Sequence, residues 1–157
     1  GTGNMKFMMN GAITLGTLDG ANVEIKKMAG EENIFIFGLT ADEVLDFYQR
    51  GGYNSWEEYH SCSRLKKVVD QLINGFFEGT EGEFTNIYDS FLRDNDEFFV
   101  LKDFCDYTGA WYSLNELYKS NDRWHKASLI NIAQSGIFSS DRTIREYADH
   151  IWHIGYK

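Results

Sequence analysis

The chemistry available to this chain is concentrated at its beginning, in a Gly-x-Gly turn, Gly1-Thr2-Gly3, followed by one lysine, Lys6, within Asn4-Met5-Lys6-Phe7-Met8-Met9. Flexible glycines let backbone N–H groups converge on an anion, and a helix starting at Asn4 or Met5 adds its positive end. Lys6 then falls in the first or second turn of that helix, flanked by Met5, Phe7, Met8 and Met9. The dipole and the apolar surroundings both disfavour an ammonium there, so the amine is expected to give up its proton readily. A neutral lysine amine is the nucleophile for a Schiff base with a carbonyl cofactor. An anion cradle beside such a lysine fits pyridoxal phosphate, which carries both a phosphate and an aldehyde. Spacing alone does not decide the matter, because Gly-x-Gly turns are common and a lysine among apolar residues ordinarily snorkels to water.

Other groupings point less far. His150 and His153 flank a helical turn beside Asp149 and lack a third metal ligand at useful spacing, so no metal site is expected. His60 and Cys62 are neighbours, but a catalytic pair needs geometry that spacing cannot supply. Ser139-Ser140-Asp141 reads as a helix cap. Acidic clusters from Glu31 to Glu58 and from Glu78 to Asp106 read as solvated faces. The net charge of −9 argues against nucleic acid or anionic membrane as partners. The 43% apolar and 16% aromatic content of the 157 residues argues for a packed core. No apolar run approaches a membrane span, and the two isolated cysteines, Cys62 and Cys105, fit a reducing, cytoplasmic setting.

The elements that must position the lysine follow from punctuation and periodicity. Asn10-Gly11 ends the first helix, and Ala12 to Leu18 reads as a short strand closed by Asp19-Gly20. A helix over Ala21 to Met28 stops at Gly30, and Ile34-Phe35-Ile36-Phe37 reads as a strand buried on both faces of a parallel sheet. Thr40 with Glu43, and Ser55 with Glu58, have capping-box spacing. Leu65, Val68, Val69, Leu72 and Ile73 form one helical stripe that ends at Gly75. A short helix over Asn86 to Arg93 turns Ile87, Phe91 and Leu92 inward, and Glu97 to Leu101 is either a strand or an extended lead-in. Long helices follow over about 102–119, from Asn121 to Ser135, and from a Ser140 cap to about Trp152, the last packing through Ile144, Tyr147, Ala148 and Ile151. The division expected is an α/β piece over 1–50 and a helical part over 51–157, with the boundary near Gly51-Gly52. Proline is absent where average usage of about 5% predicts roughly eight, which favours unbroken helices.

The run Gly-Thr-Gly-Asn-Met-Lys-Phe-Met-Met-Asn-Gly over residues 1–11 closely resembles the cofactor-lysine signature of the α-glucan (glycogen, starch, maltodextrin) phosphorylases. The resemblance continues through Ala12 to Ile25, with Thr17 to Glu24 at its centre, Gly30 to Gly38, Asn131 to Gly136 and Phe138 to Ile144, with Tyr147-Ala148 and Ile151-Trp152 also in step, and is looser between about residues 51 and 120. The family's Glu-Ala-Ser just before the first glycine is missing, and the start at Gly1 inside the motif implies a C-terminal fragment of a longer enzyme. By resemblance, the fold is an α/β fragment of a Rossmann-like, glycosyltransferase-B type lobe with two or so short strands, followed by a mostly helical part. The implied reaction is phosphorolysis of terminal α-1,4-glucosidic bonds to glucose 1-phosphate, with glucan and orthophosphate as the parent's substrates. Lys6 then matches the lysine that carries pyridoxal phosphate, and Gly1, Thr2 and Gly3 match the turn at the cofactor phosphate, with Gly1 also bordering the glucose site. No complete catalytic set is expected here, because the family's phosphate-clamping basic residues lie upstream. The isolated chain is therefore expected to be inactive, to bind the cofactor weakly, and to self-associate through surface that a missing lobe covers. The competing reading is a stand-alone, non-catalytic helical unit or interaction domain.

Overall fold

The computed structural model describes residues 2–155. The chain is mostly helical, with two parallel strands. Helix α1 (Gly3–Met9) leads to β1 (Leu15–Gly16), α2 (Ala21–Ala29), a 3-10 turn (Glu31–Asn33) and β2 (Phe35–Ile36). Helices α3 (Ala41–Arg50), α4 (Ser55–Ser61), α5 (Ser63–Asp70), α6 (Thr85–Leu92), α7 (Val100–Tyr118) and α8 (Asn121–Gln134) follow. A 3-10 turn (Ser135–Phe138), α9 (Ser140–Glu146) and a π-helical turn (Tyr147–Trp152) complete the described elements. Two compact units emerge: Gly1–Ile36 with Ala110–Lys157, and Phe37–Gly109. Gly51 and Gly52, the boundary read from the sequence, fall inside the second unit.

In the first unit the punctuation works as expected. Gly11 takes φ 79°, a value that favours glycine, and the N–H groups of Asn10 and Gly11 close the end of α1 on the carbonyls of Phe7 and Met8. Gly30 ends α2 with its N–H on the Lys26 carbonyl. Leu15 pairs with Phe35 and Gly16 with Ile36, so the strands are parallel but shorter than the apolar runs containing them. Asn22 Nδ2 occupies the Thr17 carbonyl at 2.8 Å, which takes that group away from the ladder. Phe35 and Ile36 are half-buried rather than covered on both faces, because the sheet has two strands. The core joins Met8, Ile25, Ala29 and Ile34, with Ile36, Ile130 and Phe138 packed around it.

The second unit has its own core of Tyr59, Leu65, Val69, Leu92 and Leu101. The Thr40–Glu43 capping box is present in both directions. The second box is not: Asn54 caps α4 by accepting from the Trp56 N–H, Ser55 is fully buried, and Glu58 pairs with Lys102 at 2.7 Å. Of the stripe starting at Leu65, only Leu65 and Val69 are buried, since α5 ends at Asp70 and leaves Ile73 outside the helix and exposed. Ile87 is likewise exposed, so α6 packs through Leu92 and Phe91. The segment before α7 is a turn, not a strand. Asn95, Asp96 and Phe99 have positive φ, and buried Asp96 accepts from the Tyr53 hydroxyl and the Leu101 N–H, both at 2.7 Å.

Caps in the last third shift by one residue, with Ser120 at the N-cap of α8 and Ser139 at that of α9. On the final helical stretch Ala148 is buried, while Ile144, Tyr147 and Ile151 are exposed. Among the described residues no helix is long and apolar enough to cross a membrane.

Candidate functional site

Gly1 lies outside the described residues, so the site is built from Thr2 onward. Helix α1 starts at Gly3, earlier than the Asn4 or Met5 expected from the sequence. Thr2 takes the N-cap position, and its side chain makes no capping bond. The first N–H groups of an α-helix have no acceptor in its own ladder; here the Met5 N–H is held by Asn4 Oδ1 at 2.9 Å, and the start of the helix stands beside the exposed Thr2. Lys6 donates its N–H to the Thr2 carbonyl at 3.4 Å, which places residues 2 and 6 one turn apart. Residues at i, i+3 and i+4 share a helical face, so Thr2, Gly3 and Lys6 lie on one side of α1. Met8, two positions beyond Lys6, falls on the opposite side and is fully buried in the core.

This arrangement corrects one expectation. Lys6 is exposed, and its apolar neighbours Phe7 and Met9 are 66% and 56% exposed. Apolar residues adjacent in sequence therefore do not enclose the amine, because a helix turns consecutive side chains about 100° apart and only Met8 reaches the core.

Asparagines hold the helix in place, and the chemistry-bearing pattern gave no sign of them. Asn4 Nδ2 donates to Asn22 Oδ1 at 3.0 Å, and Asn22 Nδ2 donates onward to the Thr17 carbonyl at 2.8 Å. Asn22 is buried, and a Cβ on Gly16 would come within 2.9 Å of its Nδ2. The start of α1 is thus tied to the first turn of α2 and to the segment leaving β1. The other end is fixed against α8, where a Cβ on Gly11 would clash with Ser128 Oγ and lie 3.1 Å from Ile132 Cδ1. Asn131, also on α8 and fully buried, donates to the Asn33 carbonyl at 2.9 Å and joins α8 to the turn before β2.

The other groupings noted in the sequence are placed as follows. No set of three or more His, Cys, Asp or Glu residues among the described residues is arranged to hold a metal. His153 lies past the π-helical turn with φ 51°, its Nδ1 2.9 Å from the Asp149 carbonyl. His60 stacks on Trp56 with ring centroids 5.9 Å apart. Cys62 is half-buried against the core of Tyr59, Leu65, Val69, Leu92 and Leu101, and Cys105 is exposed on α7.

The start of α1 suits an anion together with an electrophilic carbonyl: it brings helix-start N–H groups, a hydroxyl and a primary amine to one face. The profile of the carbohydrate phosphorylase family matches residues 1–154. The chain is 57% identical over 154 residues to a glycogen phosphorylase of Bacillus subtilis, 48% over 155 residues to one of Synechocystis, and 46% over 154 residues to the human liver form. Each alignment covers 98% of this chain, which spans 19% of the first relative's length and 18% of the other two.

Proposed function

The chain belongs to the carbohydrate phosphorylase family, and on that premise we propose that it is part of an enzyme that transfers a terminal glucosyl unit of an α-1,4-glucan to orthophosphate. In that reaction the glucosidic C–O bond breaks and the anomeric carbon gains a phosphate oxygen, giving glucose 1-phosphate. The parallel β1–α2–β2 unit supports reading the first unit as part of a Rossmann-like, glycosyltransferase-B type lobe. The observation that carries the proposal is the common face of Thr2, Gly3 and Lys6 at the start of α1, in a chain matched to the family over nearly its whole length.

The residues present fit pyridoxal phosphate. Lys6 Nζ is the point of covalent attachment, and Thr2 and Gly3 at the start of α1, with Gly1 before them in the sequence, are the residues for the cofactor phosphate, Gly1 also serving the edge of the glucose site. When bound, the cofactor supplies its phosphate as a proton relay to the substrate phosphate. Helix α1 contributes its positive end and the Thr2 hydroxyl to an anion, and holds Lys6 one turn away from them. The Asn4–Asn22 bond fixes where that helix begins.

The isolated chain offers Lys6 to solvent with no enclosing wall, which supports weak cofactor binding and no phosphorolysis without the rest of the enzyme. Exposed Leu129, Ile144, Ile151 and Trp152 support self-association, which light scattering across concentration reads directly. Incubation with pyridoxal phosphate, borohydride reduction and peptide mapping test the site. The expected result is substoichiometric labelling that favours Lys6 over the other lysines. Labelling spread evenly over all lysines overturns the assignment of Lys6. Tight stoichiometric labelling overturns weak binding, and release of glucose 1-phosphate from glucan and phosphate overturns inactivity.

A further inference from the structure

Away from the lysine motif, the second unit holds a cleft of about 300 Å³ beside the end of α3. Phe47 and Tyr48 come from the last turn of that helix and Tyr53 from the segment after it. The turn between α6 and α7 supplies Asp94 to Glu97 and Phe99. Phe99 is 5% exposed, and the rings of Tyr53, Tyr48 and Phe47 stand 4.8, 5.3 and 5.4 Å from its own. That packing holds Phe99 at φ 56°, a conformation a bulky residue rarely adopts. Asn95 and Asp96 also have positive φ, and the turn so formed brings Asp96 to the cleft with its side chain buried.

The side-chain donors of the lining are already engaged within the protein. Tyr48 donates its hydroxyl to the Glu97 carbonyl at 2.8 Å, Tyr53 donates to Asp96 Oδ2 at 2.7 Å, and Asn95 Nδ2 donates to the Tyr53 carbonyl at 3.2 Å. Asn95 Oδ1 is taken as well, by the Ser55 N–H at 2.9 Å. What the lining still offers is carboxylate oxygens and ring faces. Asp94 shares its charge with Arg93 at 3.2 Å, whereas no Lys or Arg among the described residues pairs with Asp96 or Glu97. Buried charges are ordinarily paired, so a buried carboxylate held by hydrogen bonds alone leaves a cation's place open. An anion is repelled here, and a neutral polyol finds acceptors with few donors to match. A cation bearing N–H groups suits both the carboxylates and the rings.

We propose that this cleft binds a small free alkylammonium ion, its charge balanced by Asp96 and Glu97 and its alkyl chain and ammonium set against the rings of Tyr48 and Tyr53. The volume is at the low end for small-molecule sites, which favours a free amine over a larger ligand. Tyr48 is 57% exposed and forms the open side, while buried Phe99 closes the bottom. The site lies wholly within the second unit and depends neither on Lys6 nor on the reaction assigned to the parent enzyme.

The test is titration of the full chain with n-butylammonium chloride at constant ionic strength, read by NMR. The expected result is saturable binding, with shifts confined to Tyr48, Tyr53, Phe99 and the turn at 94–97. Glu97→Gln removes one charge and is expected to weaken binding about two- to fivefold. Tyr48→Leu removes one ring face and is expected to weaken it by a similar factor, about two- to fivefold. Both side chains are exposed, so neither variant disturbs the core. Titrations with n-butanol and butanoate are expected to show no saturable binding. Absence of saturable binding by n-butylammonium, or shifts centred elsewhere, overturns the site. Equal binding of n-butanol overturns the part played by charge, and unchanged affinity in both variants overturns the assignment to this cleft. Nα-acetyl-lysine amide presents the same group as a partner's side chain would, and tighter binding of it than of n-butylammonium overturns the assignment to a free amine.

Discussion

Replacing Asn22 with Ala removes the side chain that anchors the start of α1, and its effect follows from two hydrogen bonds. Asn22 Oδ1 accepts from Asn4 at 3.0 Å and its Nδ2 donates to the Thr17 carbonyl at 2.8 Å, both part-buried. At about 0.5–1.5 kcal/mol net for each, the loss is about 1–3 kcal/mol. It falls unevenly on the fold. A helix of seven residues is far too short to persist alone, so α1 depends on its tertiary ties, which are Asn4 at one end and buried Met8 near the other. Losing the first tie lowers the free energy of local opening. Since about 1.4 kcal/mol is a factor of ten, native-state exchange of the Phe7, Met8 and Met9 amides is expected to accelerate about 5- to 150-fold, and that of α5 in the second unit to stay unchanged. Asn10→Ala is the control, because its bond to the Lys6 carbonyl is exposed and its removal is expected to change stability by less than about 0.5 kcal/mol. Hydrogen exchange read by mass spectrometry or NMR resolves the segments. If α1 exchanges at its original rate in Asn22→Ala, or if α5 accelerates equally, the anchoring argument is wrong.

Two further predictions concern close contacts. Gly11→Ala forces a side chain into positive φ, at about 1–2 kcal/mol, and drives its Cβ into Ser128 Oγ, so a destabilisation of about 2–4 kcal/mol is expected in denaturant titration. Adding Ser128→Ala is expected to recover part of the loss, and no recovery would show that the clash is not its source. Asp103 accepts from the Leu39 N–H at 2.9 Å, but burial, followed by Asp106, Asp96 and Glu43, raises its carboxyl above the usual range despite that bond. A raised folded pKa means that the fold binds more protons than the unfolded chain, so this group's contribution to stability falls as pH rises from the ordinary carboxylate value through the raised one. Asp103→Asn keeps an acceptor for Leu39 and removes the charge, so its advantage over the parent is expected to grow across the acid range and level off near neutrality. Urea titrations of both proteins from pH 4 to 7 read that gap, and a constant or shrinking gap refutes the assignment.

Local signals were legible where the chain itself completes the interaction. Thr40 with Glu43, Gly11 after α1 and Gly30 after α2 act through neighbours within a few residues, and each does what its position announces. The cap at Asn54 displaced the one read at Ser55 because Ser55 is needed elsewhere, buried with its N–H on Asn95 Oδ1, about forty residues away. Helical stripes misled for the same reason. Periodicity identifies a face, but whether Val68, Ile87 or Ile151 is covered depends on which other elements arrive there. At the candidate site, the Thr2, Gly3 and Lys6 pattern was visible as spacing, and the supports Asn4, Asn22 and Asn131 were not. Asparagine is ordinarily a surface or turn residue, and only the fold shows that these three bridge backbone and side chains.

The first unit is assembled from two stretches separated by the whole of the second, which has a consequence for the order of events during synthesis. Residues 37–109 hold a contiguous core and can close on themselves once they leave the ribosome. The lysine-bearing stretch cannot. Its Met8, Ile25 and Ile34 are completed by Ile130 and Phe138, and the Asn33 carbonyl waits for Asn131, about a hundred residues later. At about 5–20 residues per second, that is a delay of roughly 5–20 seconds in which Met8 and its partners lack their cover. The opening motif is thus the first part of this sequence to be made and among the last to be secured.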